Sequence, residues 1–169
     1  MVNSNNLIIL ENNDTLNYQE FSFKCSIGGK GITSNKVEGD KKTPVGIFKL
    51  GSLFYRKDRV KPPKTKLRCI PIIKSMGWCD NPKDRVNYNK LIKINKSSQH
   101  EFLFRKDYKY TYFIPIMYNT KINRPYKGSA IFIHLTKNYT STAGCIALNK
   151  KDFEILIRII SQNTKIKIS

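Results

Sequence analysis

The chain is short of acid: 12 aspartates and glutamates stand against 31 lysines and arginines, which leaves +19 over 169 residues. It has two histidines, His100 and His134, and four cysteines, Cys25, Cys69, Cys79 and Cys145. No two cysteines form a CxxC pair, so neither a zinc site nor a thioredoxin-type dithiol has its ligands, and no metal or cofactor is expected. Long apolar runs are missing too. "MVNSNNLIIL" lacks a basic start, and its apolar run of four residues is too short for the core of a signal peptide. Nothing approaches the roughly 20 apolar residues of a membrane-spanning helix. Gly/Ser linkers, low-complexity blocks and internal repeats are also absent. Residues 1–169 therefore read as one domain of ordinary size.

The excess of positive charge points to an anionic partner: nucleic acid, envelope polymers or a membrane surface. Yet 24 of the 31 basic residues are lysines, scattered along the chain, and their longest runs are the pairs Lys41-Lys42 and Lys150-Lys151. A nucleic-acid groove concentrates its charge; this pattern predicts a dispersed, solvated basic surface with no specific nucleic-acid partner. Charge alone would fit a non-enzymatic basic module that holds anionic polymer or nucleic acid.

The pattern is mostly β. "NLIIL" and "FSFKCSI" flank the polar stretch "ENNDT", as in a hairpin. "GIFKLGSLFY", "SAIFIHL" and "KIKIS" are strand-like, and "YKYTYFIPIMYN" is the segment richest in β-favouring residues. Helical spacing is clear once: Phe153, Leu156, Ile157 and Ile160 make one apolar face, with Asn149 and Asp152 as an N-terminal capping pair. Residues 56–100 are basic and irregular and yield no assignment. The expected fold is a β-rich (α+β) sandwich with one or two short helices.

One unit carries the residues for nucleophilic chemistry. In "SAIFIHL", Ala130, Phe132 and His134 share one strand face, and Ile131, Ile133 and Leu135 the other. His134 ends this strand. A polar loop follows and returns the chain to Gly144-Cys145, eleven residues after the histidine, just before the helix. A free thiol titrates near ~8.5, so a nucleophilic cysteine needs a base, and a neighbouring imidazole is the usual one. It also needs main-chain N–H groups aimed at the developing oxyanion, and a preceding glycine lets the backbone turn tightly there. The spacing by itself fits a strand histidine near a buried, inert cysteine better than it fits a catalytic pair. Buried thiols are the expectation for Cys25, Cys69 and Cys79.

At these residues the chain resembles the catalytic domain of the L,D-transpeptidases (YkuD-type), which carry a strand histidine, a loop, then Ser/Thr-x-Gly-Cys. Here those are His134 and "TAGC", Thr142 to Cys145. Upstream, "GGKGITSNKVEGDKKTPVGIFKL" (28–50) is similar to the family's N-terminal stretch, with Thr43 to Phe48 as its TPxGxF core. "GWCDNP", "YNKLI", "HEFLFR" and "GSAIF" resemble a narrower branch of short members ending in TAGC[IV]AL. Two family positions differ: Ala143 stands where histidine is usual, and Ala147 where arginine often follows the cysteine.

The resemblance implies an acyl-transferase acting on peptidoglycan stem peptides. Cys145 would attack the carbonyl of the third stem residue, a diamino acid, and expel the terminal D-alanine. His134 would be the base, and the N–H groups of Cys145 and Gly144 the oxyanion donors. Attack by an amine gives a 3→3 cross-link; attack by water gives an L,D-carboxypeptidase, and that choice stays open. A place in the cell envelope or periplasm is implied by family alone, with the cytoplasm left open. For His100 a solvated or structural role is the first expectation and a place at the pocket wall the second. Tyr118 and Asn119 are expected to end the richest strand, where facing the pocket and facing away from it both stay open, and Thr142 is expected beside the nucleophile. Lys36, Glu38 and Asp40 in "NKVEGD" are expected chiefly to pin their own loop by ion pairs, with substrate binding as the lesser alternative. Anionic envelope polymers would be held loosely by the scattered lysines.

Overall fold

The computed structural model describes residues 6–95 and 99–169. The chain opens as an antiparallel meander of β1 (Leu7–Glu11), β2 (Thr15–Tyr18) and β3 (Phe21–Ser26). The expected hairpin between "NLIIL" and "FSFKCSI" therefore contains a further strand. Asn12 and Asn13 adopt positive φ (50° and 62°), which asparagine tolerates, and the chain turns within the polar stretch. "TLNY" then runs back with Leu16 and Tyr18 buried.

Two short strands, β4 (Ile32–Thr33) and β5 (Thr43–Pro44), pair in parallel, and β6 (Gly46–Lys49), β7 (Leu53–Tyr55) and β8 (Cys69–Pro71) follow. The irregular stretch contributes β9 (Met76–Trp78) and β10 (Leu91–Lys93), joined by β11 (Glu101–Phe102) into a three-stranded sheet. Then come β12 (Tyr112–Pro115), β13 (Phe132–Leu135), β14 (Ile146–Leu148), α1 (Lys150–Ile159) and β15 (Lys165–Ile168).

Ten strands form the main sheet, in the order β6-β15-β1-β2-β3-β14-β13-β12-β7-β8. It curls back on itself. Leu50, just past β6, pairs with Ile116, just past β12, and the Gly51 N–H donates to the Pro115 carbonyl at 2.8 Å. The result is the β-rich sandwich that the sequence predicts, with one short helix among the described residues.

Strand alternation in β13 divides the interior. Ile133 and Leu135, with Ile131 just before the strand, enter the larger core, which also holds Phe153, Leu156 and Ile157 from α1. Tyr112 stacks on Phe153 there, ring centroids 5.7 Å apart. Phe132 enters a second core with Phe113, Tyr110, Leu103 and Trp78, and Ala130 and Cys145 pack against it. Each such side chain contributes roughly 1.5–3 kcal/mol by leaving water. The helix begins as expected: Asn149 caps it by accepting the Asp152 N–H at 2.9 Å. Two packed faces thus hold β13 rigid up to His134, and β14 lies parallel beside it with His134 opposite Ala147.

Candidate active site

The TAGC loop is tied down on both sides. The Thr142 N–H donates to the Ile27 carbonyl at 2.9 Å, and the Gly29 N–H to the Thr142 carbonyl at 3.0 Å. Gly144 sits at φ +140°, and a Cβ on it would lie 2.8 Å from the Lys42 carbonyl oxygen, so only glycine fits. The Thr142 hydroxyl donates to the Cys145 carbonyl at 2.6 Å and accepts the Gly144 N–H at 3.1 Å. The Gly144 N–H expected at the oxyanion is therefore engaged within the loop.

The Cys145 thiol rests between two main-chain groups of the strand that carries the histidine. It donates to the Ala130 carbonyl and accepts the Phe132 N–H, both at 3.3 Å. Burial pushes this thiol up to about 12; the Phe132 N–H works against that, as do Lys36 and Lys109, while Glu101 adds to it. His134 is 7% exposed, and burial takes its pKa down to about 4. Its Nδ1 lies 3.0 Å from the Leu135 carbonyl. A carbonyl only accepts, so Nδ1 carries the proton and Nε2 keeps a lone pair, as a general base requires. At rest the pair is thiol and neutral imidazole.

His134 and Cys145 share one cavity of about 350 Å³ with Thr142, Ala143 and Ala147. Its remaining wall is charged in both signs: Lys36, Arg105 and Lys109 against Glu38, Asp80 and Glu101. Tyr110 backs the histidine, its ring 5.6 Å from the imidazole, and its hydroxyl donates to Glu101 at 2.9 Å. Arg105 ties Glu101 to Asp107, at 2.9 Å and 2.6 Å. Of this wall, sequence reasoning discussed only Lys36 and Glu38, as part of "NKVEGD"; Asp80, Glu101 and Arg105 lie inside the quoted motifs "GWCDNP" and "HEFLFR" but were given no role of their own.

The other expected residues lie elsewhere. His100 packs its ring on Phe102, centroids 4.4 Å apart, and against Gly77; its neighbour Glu101 is the one that lines the cavity. Tyr118 and Asn119 line a separate cleft, where the Tyr118 hydroxyl donates to the Lys127 carbonyl at 2.6 Å. The Asn119 amide closes its own loop on Arg124 and Gly128 at 2.9 and 3.0 Å. Asn89, also missed, accepts the Trp78 indole N–H at 3.0 Å and the Ala130 N–H at 3.1 Å, so it holds the residue whose carbonyl receives the thiol.

Compared with known families, the chain matches the model described as YkuD, L,D-transpeptidase catalytic domain, over residues 1–168. No curated protein and no solved structure matches it.

Proposed function

Since the chain belongs to the L,D-transpeptidase catalytic-domain family, whose members act on peptidoglycan, we propose that it is a cysteine acyl-transferase that cross-links peptidoglycan stems through a Cys145 thioester. The observation that carries this reading is the seating of the Cys145 thiol and the His134 imidazole in one cavity, with Nε2 of His134 left as an acceptor.

The stem's third-residue carbonyl enters beside Cys145. The thiol leaves the Ala130 carbonyl, His134 Nε2 takes its proton, and sulfur bonds to the carbonyl carbon. Because the resting imidazole is neutral, it is ready to accept that proton. The Gly144 N–H is held by Thr142, so the Cys145 N–H is the donor assigned to the oxyanion. Collapse breaks the C–N bond, and His134 returns the proton to the departing D-alanine amine. The side-chain amine of a second stem then attacks the thioester, gives its proton to His134 and frees the thiol.

The test is incubation with defined tetrapeptide stems and mass spectrometry of the products. A 3→3 dimer together with free D-alanine supports cross-linking. Tripeptide and D-alanine without dimer would replace it with an L,D-carboxypeptidase, water being the acceptor. Unchanged stems would refute both.

A further inference from the structure

Lysine is almost never fully buried unless its charge is met, yet Lys36 is 4% exposed and lines the cavity of the nucleophile. The fold makes room for it. Gly128 lies at φ +95°, and a Cβ there would sit 2.7 Å from Lys36 Cγ, 3.1 Å from Cε and 3.3 Å from the Tyr118 ring. A side chain at 128 would therefore fill the channel through which the lysine stem passes.

The ammonium has three N–H donors. One meets Asp40 and one the Val37 carbonyl, the latter at 3.3 Å. Asp40 is itself shared, since it also accepts the N–H groups of Val37 and Lys42, each at 2.9 Å, and these contacts hold its carboxyl below the usual range. Lys36 Nζ lies 3.6 Å from the point where a Cβ on Gly144 would stand, beside the nucleophile. The other cations of the wall are differently placed: Arg105 is engaged by Asp107 and Glu101, and Lys109 is exposed. Lys36 alone of the three is both buried and clamped, so its charge is positioned before any substrate arrives.

We propose that the Lys36 ammonium binds a carboxylate of the stem peptide and so sets the stem's register over Cys145. This rests on the stem-peptide reading above. The carboxylate has two sources: the C-terminus of the leaving D-alanine, a few bonds from the scissile carbonyl, or the far end of the third-residue diamino acid where it carries one. Asp40 then acts as a positioning residue for Lys36.

The experiment measures equilibrium binding of three synthetic tetrapeptides to a Cys145→Ala protein: the free acid and the two single amides, one at each carboxylate. One amide should bind at least tenfold more weakly than the free acid, and which one identifies the source. In Cys145→Ala/Lys36→Met that difference should shrink to less than twofold, and Lys36→Arg should restore most of it. Both amides binding within twofold of the free acid would overturn the proposal, and this arm needs no change at Lys36. An amide penalty that persists in Lys36→Met would overturn it equally. Turnover of the free acid by the unaltered protein is followed in parallel. Lys36-dependent binding without turnover sinks the acyl-transfer reading and leaves the cation site standing; turnover without amide sensitivity does the reverse.

Discussion

The Thr43 hydroxyl donates to the Gly144 carbonyl at 2.9 Å, across 101 residues of chain. The same oxygen accepts the Gly28 N–H at 2.9 Å, and Thr43 is fully buried. One hydroxyl thus joins the TPVGIF segment to the residue before Cys145. Replacing it by Thr43→Val keeps the shape and leaves a buried N–H and a buried carbonyl without this partner, at about 1–3 kcal/mol each. The variant should melt at lower temperature and acylate more slowly, while Thr43→Ser retains both properties. Calorimetry and single-turnover rates on the two variants check this. A Thr43→Val protein as stable and fast as the parent would show that the bond is incidental.

Cys145→Ala should abolish D-alanine release while leaving the thermal transition in place. A thiol that opens a stem amide should also open a strained lactam and stall there, so a carbapenem should add once, at Cys145. Intact mass and peptide mapping read this directly, and an adduct on Cys25, Cys69 or Cys79 contradicts the assignment. Because burial lifts the Cys145 thiol to about 12, its alkylation by a small neutral reagent should keep rising through pH 9 and 10. A plateau near pH 7 would mean that the thiolate already exists at rest.

His134→Gln should slow acylation a hundredfold or more, in line with the ~10²–10⁴ attributed to general acid–base catalysis. It should also change the acid limb of stability. The folded imidazole titrates near 4 and an unfolded one near 6.5, so between these values the unfolded chain binds the extra proton. Stability from this group is therefore complete above pH 6.5 and lost as pH falls toward 4, by about 3 kcal/mol in all. Denaturant melts of parent and variant at pH 7 and pH 4.5 should differ by a penalty that only the parent suffers.

Asn89 supports the Cys145 thiol from behind, through Ala130. It bonds Trp78 and Ala130 through its oxygen, and the carbonyls of Tyr118 and Asn119 through its amide, at 2.9 and 3.1 Å. Asn89→Asp would turn a carboxylate oxygen toward those two carbonyls. It should cost more stability than Asn89→Ala, which removes the bonds without adding repulsion. Urea melts rank the two, and the reverse order would show that the amide is not the operative group.

The +19 charge should give weak, sequence-insensitive binding to anionic polymers that falls steeply with added salt, since it depends on counterion release. Acyl transfer on a small soluble stem should fall far less over the same range, because its reacting groups are local and partly shielded. Both curves can be measured on one preparation. Tight, sequence-selective DNA binding at physiological salt would reverse the order of the two readings.

Legibility followed the range of the interactions. The helix could be read because its face and its cap are set within one or two turns, and Asn149 caps it as expected. The two faces of β13 could be read from alternation alone, and they enter two different cores. The strand "TLNY" was hidden because its polar residues, Thr15 and Asn17, make up the half-buried face of a four-residue strand, too short for alternation to show. β8 to β11 are two or three residues long, too short for any period to show. Tyr118 and Asn119 illustrate the remaining limit: they were expected to end the richest strand, but β12 stops at Pro115 and both lie in the turn that follows, lining another cleft.

By itself the sequence determined the mostly β character and the helix, because alternation and helical spacing act over a few residues, and its motifs carried the resemblance to the family and the expectation that His134 works with Cys145. Only the tertiary structure decided which charges surround the thiol. Lys36, Asp80, Glu101 and Tyr110 come from separate segments and meet at Cys145 only after the sheet has curled and the smaller sheet has packed beside it. The same burial moves the thiol up and the imidazole down. Desolvation depends on everything packed around a group, and no local pattern encodes that.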